Sequence, residues 1–375
     1  MNLIAPFGFF GAGNIGDEST LQGFARLVDS SANGFRVWVA SRNPSHTNKV
    51  EPKFKYFKFR GRDPWRRWAR IRAQAQVIIG GTPIMDVLGK WPLSELTPLI
   101  EAARKEREPV VFIGSGVEGL KSEESRRLVA QLIAPAVRHW TVRSARDKQR
   151  LLSYGIVDDR VTVAADLAWT LERVSDDFGR NLLKQFDLNP NDYLIGVNLT
   201  NEGFVNREQP ELFQIVARFL DALIEKRQAR VLFFANEVRE EESFDKAAAL
   251  KTLALMKNQD SAYVIPNDYR TPQQMLSLID CCDLTVSMRY HFCLFSALQS
   301  VPFIALKRSD KVDDLCWDLN WPYGATPSAL DPCVLLDMAS EIEQRKAVVT
   351  HNLHRQAHWM KIRSLRNRAG LAALC

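Results

Sequence analysis

Arg289 and His291 carry the strongest chemical signal in the chain. They follow the apolar run Leu284-Thr285-Val286-Ser287, so a permanent cation and a titratable imidazole stand two residues apart where a strand runs out. Open α/β sheets bind ligands beyond that end of their strands. A planar guanidinium matches a carboxylate or a phosphate, and an imidazole with an ordinary pKa of about 6.5 gives or takes a proton near neutrality. An anion clamp and a proton donor are thereby placed together. The plain alternative is that Arg289 pairs with an acidic neighbour and His291 caps the following helix.

The first half of the chain has chemistry of its own. Gly11-Ala12-Gly13-Asn14-Ile15-Gly16-Asp17-Glu18 follows an expected strand and opens an expected helix. Glycines there let backbone approach a ligand closely, and the N–H groups of a helix start point at it. Asp17 and Glu18 would repel a pyrophosphate while favouring the helix dipole. The segment therefore reads as a capped helix or a contact to sugar hydroxyls rather than a dinucleotide fingerprint. Two more glycine turns, Gly80-Gly81-Thr82-Pro83-Ile84-Met85-Asp86 and Gly114-Ser115-Gly116-Val117-Glu118-Gly119, end strands, as do Arg143-Ser144 and Asp166. Cation, hydroxyl and carboxylates are set along one rim.

Short apolar strands alternating with helical stretches must position these groups, the pattern of parallel α/β sheets. Strands are expected at 7–11, 35–40, 77–80, 110–114, 139–143 and 161–164. A second series is expected at 193–198, 230–235, 263–265, 284–287 and 303–306. Helices are expected at 17–28, 93–107 and 122–134. A polar, acidic passage over 172–192 divides the two series. The fold class is therefore α/β: two doubly wound, Rossmann-like domains facing a cleft, with residues 1–175 and 176–335 as the domains. Residues 336–375 are expected to be helical and to pack across them. His351, His354 and His358 share a face of that segment by spacing and read as a solvated basic helix.

Composition sets the bounds. The 375 residues suffice for two domains, and 46% hydrophobic with 25% charged residues describes a globular protein. No stretch approaches the roughly 20 apolar residues that span a bilayer, and Met-Asn-Leu-Ile-Ala-Pro lacks the basic start of a leader. A cytoplasmic protein is expected. Six cysteines without a Cys-x-x-Cys pair argue against a disulfide framework or a zinc cage. The net charge of +6 favours an anionic partner without choosing among nucleotide, phosphorylated metabolite, nucleic acid and membrane.

Taken in order, Gly11-x-Gly13-Asn14-x-Gly16-Asp17-Glu18, Gly80-Gly81 with Asp86, Gly114-x-Gly116, Arg143-Ser144, Asp166, Ser287-Met288-Arg289-Tyr290-His291 and Val301-Pro302-Phe303-Ile304 with Lys311 resemble the polysaccharide pyruvyl transferase family. The resemblance covers roughly residues 5 to 315. It implies a fold like the B-type glycosyltransferases and transfer of the enolpyruvyl unit of phosphoenolpyruvate to a sugar, usually closing a pyruvate ketal on a cell-surface glycan or its lipid-linked precursor. It also implies donor contacts from Arg143, Arg289, Lys311 and Ser287, proton transfer by His291, and acceptor contacts from Gly13, Asn14, Asp17, Glu18, Gly81, Asp86 and Asp166. No metal or cofactor is expected beyond phosphoenolpyruvate as co-substrate. The sequence departs from the family twice: Thr82 stands where a third glycine is usual, and Arg308 where an aromatic commonly precedes the lysine.

Residues 53–72 interleave cations with aromatics, including Trp65 and Trp68. That composition suits a lipid headgroup surface, hence peripheral contact with a membrane bearing a lipid-linked acceptor. It equally suits an edge strand followed by a helix whose tryptophans join the core; stacking on nucleic acid has no support elsewhere in the chain. Two other classes stay open. One is a B-type glycosyltransferase with a nucleotide-sugar donor, and the other a binding protein with a relict site.

Overall fold

The computed structural model describes residues 3–31, 34–58, 73–189, 191–202, 210–238 and 244–374. The chain forms two compact units. One is Met1–Leu171 together with Met360–Cys375, and the other is Glu172–Trp359.

The first unit is built on seven parallel strands: β1 (Leu3–Phe7), β2 (Arg36–Ser41), β3 (Lys55–Lys58), β4 (Ala75–Ile79), β5 (Val110–Ser115), β6 (Val137–Val142) and β7 (Val161–Val163). Their order is β3-β2-β1-β4-β5-β6-β7. Parallel neighbours need crossovers rather than hairpins, which the helices supply. Both faces of β4 and β5 are buried, which explains their unbroken apolar runs. Alternation along these strands divides the core in two: Val77, Ile79, Val111 and Ile113 pack into one layer, and Ile78, Val110 and Phe112 into the other. Phe112 stacks on Trp140 with ring centroids 4.0 Å apart.

The expected first strand at 7–11 is corrected to Leu3–Phe7, with residues 8–14 forming the turn. The apolar signal ran past the strand because Phe10, though in the turn, is 1% exposed and fills the core. The basic and aromatic stretch is described only in part. Lys53 pairs with Asp29, and Lys55–Lys58 form the edge strand β3 with Phe54 and Phe57 buried. Residues 59–72, Trp65 and Trp68 among them, lie outside the described residues.

The second unit repeats the plan with β8 (Leu194–Asn198), β9 (Arg230–Phe233), β10 (Ala262–Val264), β11 (Leu284–Ser287), β12 (Phe303–Leu306) and β13 (Gly324–Ala325), ordered β10-β9-β8-β11-β12-β13. In both sheets the strand order reverses beside the first strand of the unit, between β1 and β4 and between β8 and β11. Loops leave in opposite directions there and open a crevice at the carboxyl ends of the strands. The helix Tyr290–Gln299 after β11 is apolar around most of its circumference and, apart from His291, buried.

The C-terminal residues do not stand apart from the two units. Helices Pro332–Gln344 and the first part of Lys346–Ser364 belong to the second unit, and from Met360 onward the chain rejoins the first. Leu371 and Leu374 lie in the same core layer as Phe24 and Val77. Asn367, fully buried, accepts a 2.5 Å hydrogen bond from the Thr141 hydroxyl and donates to the carbonyl of Ala165 at 2.8 Å. Among the described residues no helix is long and apolar enough to cross a membrane. The five described cysteines are free.

Candidate functional site

At the carboxyl end of β11 the Ser287 hydroxyl accepts the Arg289 N–H at 3.0 Å and donates to Asn198 Oδ1 at 3.2 Å. Adjacent strand ends β8 and β11 are thereby tied together at the reversal of strand order. Arg289 takes the N-cap position of the helix Tyr290–Gln299, without a side-chain capping bond. Its guanidinium turns inward. Nη2 stands 2.6 Å from Asp245 Oδ1 and 2.8 Å from Glu237 Oε2, and Nη1 stands 3.1 Å from Glu202 Oε1. Nη2 also donates to the Thr200 hydroxyl at 3.1 Å. Asp245 is itself fixed, because Oδ2 accepts the backbone N–H groups of Asn236 and Glu237 at 2.9 and 3.1 Å and Asn198 Nδ2 at 3.1 Å.

The acidic-neighbour alternative for Arg289 is therefore realised, with three carboxylates rather than one. Burial alone would lower the Arg289 pKa; Asp245, Glu237 and Glu202 more than reverse it and hold the group charged. The helix-cap alternative for His291 is not, since His291 lies inside the helix on its first turn. Its half-buried ring stands edge-on to Tyr290, with centroids 5.1 Å apart.

Glu202 joins a second cation to the group. Its Oε2 is 3.1 Å from Nη1 of Arg308, whose Nε donates to the Met288 carbonyl at 3.2 Å. Burial would raise the Glu202 pKa, but Arg289, Arg308 and Lys311 together hold it below the ordinary carboxylate value. Lys311 is half-buried on the first turn of the helix Asp310–Asp318. Ser287, Arg289 and Lys311 thus belong to one neighbourhood. Glu202, Glu237 and Asp245 were not foreseen there, and Arg308 only as a departure from the family beside Lys311. Glu202 and Glu237 follow apolar strands by a few residues, as Arg289 does, and that placement was the signal available.

In the first unit Arg143 follows β6 and Asp166 follows β7. Arg143 is 5% exposed, its Nη1 is 3.3 Å from Asp166 Oδ2, and its Nη2 donates to the Thr82 hydroxyl at 3.0 Å. Thr82, the departure from the expected third glycine, therefore serves as a guanidinium partner. Asp166 Oδ1 accepts the Ala168 N–H at 2.9 Å and the Thr20 hydroxyl at 3.4 Å. Ser144 closes a capping box with Asp147.

The glycine turn after β1 is stiffened from behind. Asn14 caps the helix Ile15–Asp29 by accepting the Gly16 N–H at 3.0 Å. Glu18, 1% exposed, accepts the Gly11 N–H at 2.6 Å, and burial pushes its pKa up to about 7 despite that bond and the Thr47 hydroxyl. Gly13 and Gly81 adopt φ of +84° and +58°, a region that disfavours side chains. A β-carbon at Gly81 would meet only Asp17 Oδ1, at 4.0 Å, so open space lies beside that carboxylate above the β1–β4 reversal. Asp86 accepts the backbone N–H groups of Lys121 and Ser122 at 2.8 to 3.1 Å. Arg143, Asp166, Thr20 and Thr82 are brought together, and Asp17 faces Gly81; Glu18 stands beneath the turn, and Asp86 braces the 121–122 loop.

The architecture is that of the two-domain B-type glycosyltransferases and the epimerases that share their fold. A putative UDP-N-acetylglucosamine 2-epimerase from Listeria monocytogenes is similar over 99% of this chain and 95% of its own, with a TM-score of 0.67 and 11% identity. Anabaena HepE, solved with UDP and glucose, is similar over 99% and 98%, with a TM-score of 0.66 and 12% identity. The UDP-GlcNAc 2-epimerase of Methanocaldococcus jannaschii is similar over 90% and 91%, at 0.62 and 11%. No curated protein matches the chain. The family model for polysaccharide pyruvyl transferase matches residues 14–310, and the chain belongs to that family.

Proposed function

We propose that the protein moves the enolpyruvyl unit of phosphoenolpyruvate onto sugar hydroxyls of a glycan or a lipid-linked saccharide and closes a pyruvate ketal. The observation that carries this reading is the arrangement after β11. A charged guanidinium ends the strand at the reversal point, and an imidazole on the next helical turn remains half-buried rather than sealed in the core.

Phosphoenolpyruvate brings a carboxylate and a phosphate, both complementary to Arg289 and Lys311. His291 as general acid delivers a proton to the methylene carbon, and the adjacent carbon becomes electrophilic. A sugar hydroxyl adds there, phosphate departs with its bonding pair, and a second hydroxyl closes the ring. Of the two hydroxyl protons, one balances the proton given to carbon and one leaves with phosphate. In the first unit, this reading assigns Asp17, Gly81 and Asp166 to the acceptor. The reaction needs no cofactor besides its co-substrate. For the membrane-facing side of this reading, residues 53–72 remain the proposed contact with a lipid-borne acceptor at the inner membrane face.

A second reading, a nucleotide-sugar glycosyltransferase, draws support from the fold shared with Anabaena HepE, which was solved with UDP-glucose. The two are separated by thermal unfolding with phosphoenolpyruvate and with UDP-sugars, because a ligand stabilises the state that binds it. A concentration-dependent rise with phosphoenolpyruvate, and phosphate release that His291→Ala lowers about 10²–10⁴-fold, is expected. A rise with UDP-sugars alone would transfer the protein to the second reading.

A further inference from the structure

The geometry points to a carboxylate slot between Arg289 and Arg308, in which Glu202 is the resident anion and the donor's carboxylate the replacement. The inference rests on the pyruvyl-transfer reading for the identity of that donor, and it adds Arg308 to the binding residues. Glu202 presents one oxygen to each guanidinium, 3.1 Å from Arg289 Nη1 and 3.1 Å from Arg308 Nη1. A planar carboxylate bridging two guanidiniums is the geometry such donors favour. Phosphoenolpyruvate carries the same group, at one end of a small rigid molecule.

Arg308 is held for this task. Its Nε is anchored on the Met288 carbonyl, one residue before Arg289, so the two guanidiniums are fixed from the same stretch after β11. Its side chain is 8% exposed, against 19% for Glu202. The anchored members are therefore the cations, and the carboxylate is the more open partner. Arg289 keeps Asp245 and Glu237 when Glu202 withdraws, whereas the guanidinium of Arg308 exchanges the Glu202 carboxylate for the incoming one. Exchange of one carboxylate for another leaves the charge of the slot unchanged, which avoids the large cost of burying an uncompensated ion. A neutral aromatic in place of Arg308 could not hold a carboxylate from that side.

The test is calorimetric titration of wild type, Glu202→Gln, Arg308→Met and the double variant with phosphoenolpyruvate, pyruvate and inorganic phosphate. Glu202→Gln should bind phosphoenolpyruvate and pyruvate at least 10-fold tighter, because no resident charge has to leave. Arg308→Met should weaken both at least 10-fold and leave phosphate binding unchanged. The double variant removes both partners of one ion pair and so guards against misfolding of either single variant; it should bind pyruvate no better than Arg308→Met does. Equal affinities for both carboxylates across wild type and the two single variants would make the Glu202–Arg308 pair purely structural and overturn the slot. If wild type ignores phosphoenolpyruvate while Glu202→Gln gains pyruvate binding that needs Arg308, the slot stands and the donor assignment falls.

Discussion

Arg143 fills the space that a side chain at residue 116 would need: a β-carbon on Gly116 would stand 1.7 Å from Arg143 Nη2 and 2.4 Å from Cζ. The absence of a side chain at one strand end is thus what lets the guanidinium at the next lie flat against it. Gly116→Ala should displace Arg143 from Asp166 and Thr82 and destabilise the fold by about 1–3 kcal/mol. In an Arg143→Ala background the same substitution should cost far less, so a double-mutant cycle followed by chemical denaturation reads the coupling directly. Additive losses would mean that Gly116 answers to a different neighbour.

Arg289 holds together carboxylates from two loops and the first turn of the helix Phe244–Leu255, and its removal strands charges that burial has made expensive. Arg289→Ala should lower stability by about 3–5 kcal/mol, the range for breaking one partner out of a buried pair. Asp245→Asn paired with Arg289→Met should recover part of that loss. Thermal melts of the single and double variants decide the matter, and they also show how far a lost ligand response in Arg289→Ala reflects binding rather than a weakened fold.

Glu18 makes stability fall as pH rises. Its folded pKa, about 7, lies above the ordinary carboxylate value of 4.5, so between these limits the folded state binds more protons than the unfolded one. The favourable contribution of the protonated acid is complete below about 4.5 and is lost as pH climbs through about 7. The full swing is about 3 kcal/mol at 1.36 kcal/mol per pH unit. Glu18→Gln keeps an acceptor for the Gly11 N–H and abolishes the slope. Urea midpoints of the two proteins should therefore diverge in favour of the glutamine variant from pH 5 to pH 7; parallel curves would contradict a raised pKa.

Asn367→Ala should cost about 2–4 kcal/mol, because the Thr141 hydroxyl and the Ala165 carbonyl each lose a buried partner worth about 1–3 kcal/mol. Asn367→Asp, which keeps the Oδ1 acceptor and loses the donor, should be no better. Guanidinium unfolding monitored in the first unit checks this, and an unchanged midpoint would show that water replaces the asparagine.

Sequence periodicity located the strands whose apolar runs end abruptly. β11 and β12 stop at Ser287 and Leu306, where the expected strands also stop, because a polar or charged residue follows within two positions. β1 was misplaced since Phe9 and Phe10 continue the apolar signal into a turn, and β13 has only two residues, too few for any period to register. At the site, the family segment around Arg289 was legible from its own residues. Its counterions were not, since Asp245 and Glu237 lie 44 and 52 residues away and meet it only through the order of strands. Glu18 carried the opposite error. A carboxylate beside a glycine turn suggests a ligand contact, but the helix start turns it underneath, where it bonds the Gly11 backbone.

The return of Met360–Cys375 to the first unit sets an order of assembly on the ribosome. Leu371 and Leu374 complete a core layer whose other members were made more than two hundred residues earlier. The unit that emerges first therefore waits with part of its sheet uncovered until residues 360–375 have followed the whole of the second unit. A stop codon just before residue 360 would leave the second unit's sequence whole and the first unit unsealed, so a lesion beyond the second unit is felt in the first.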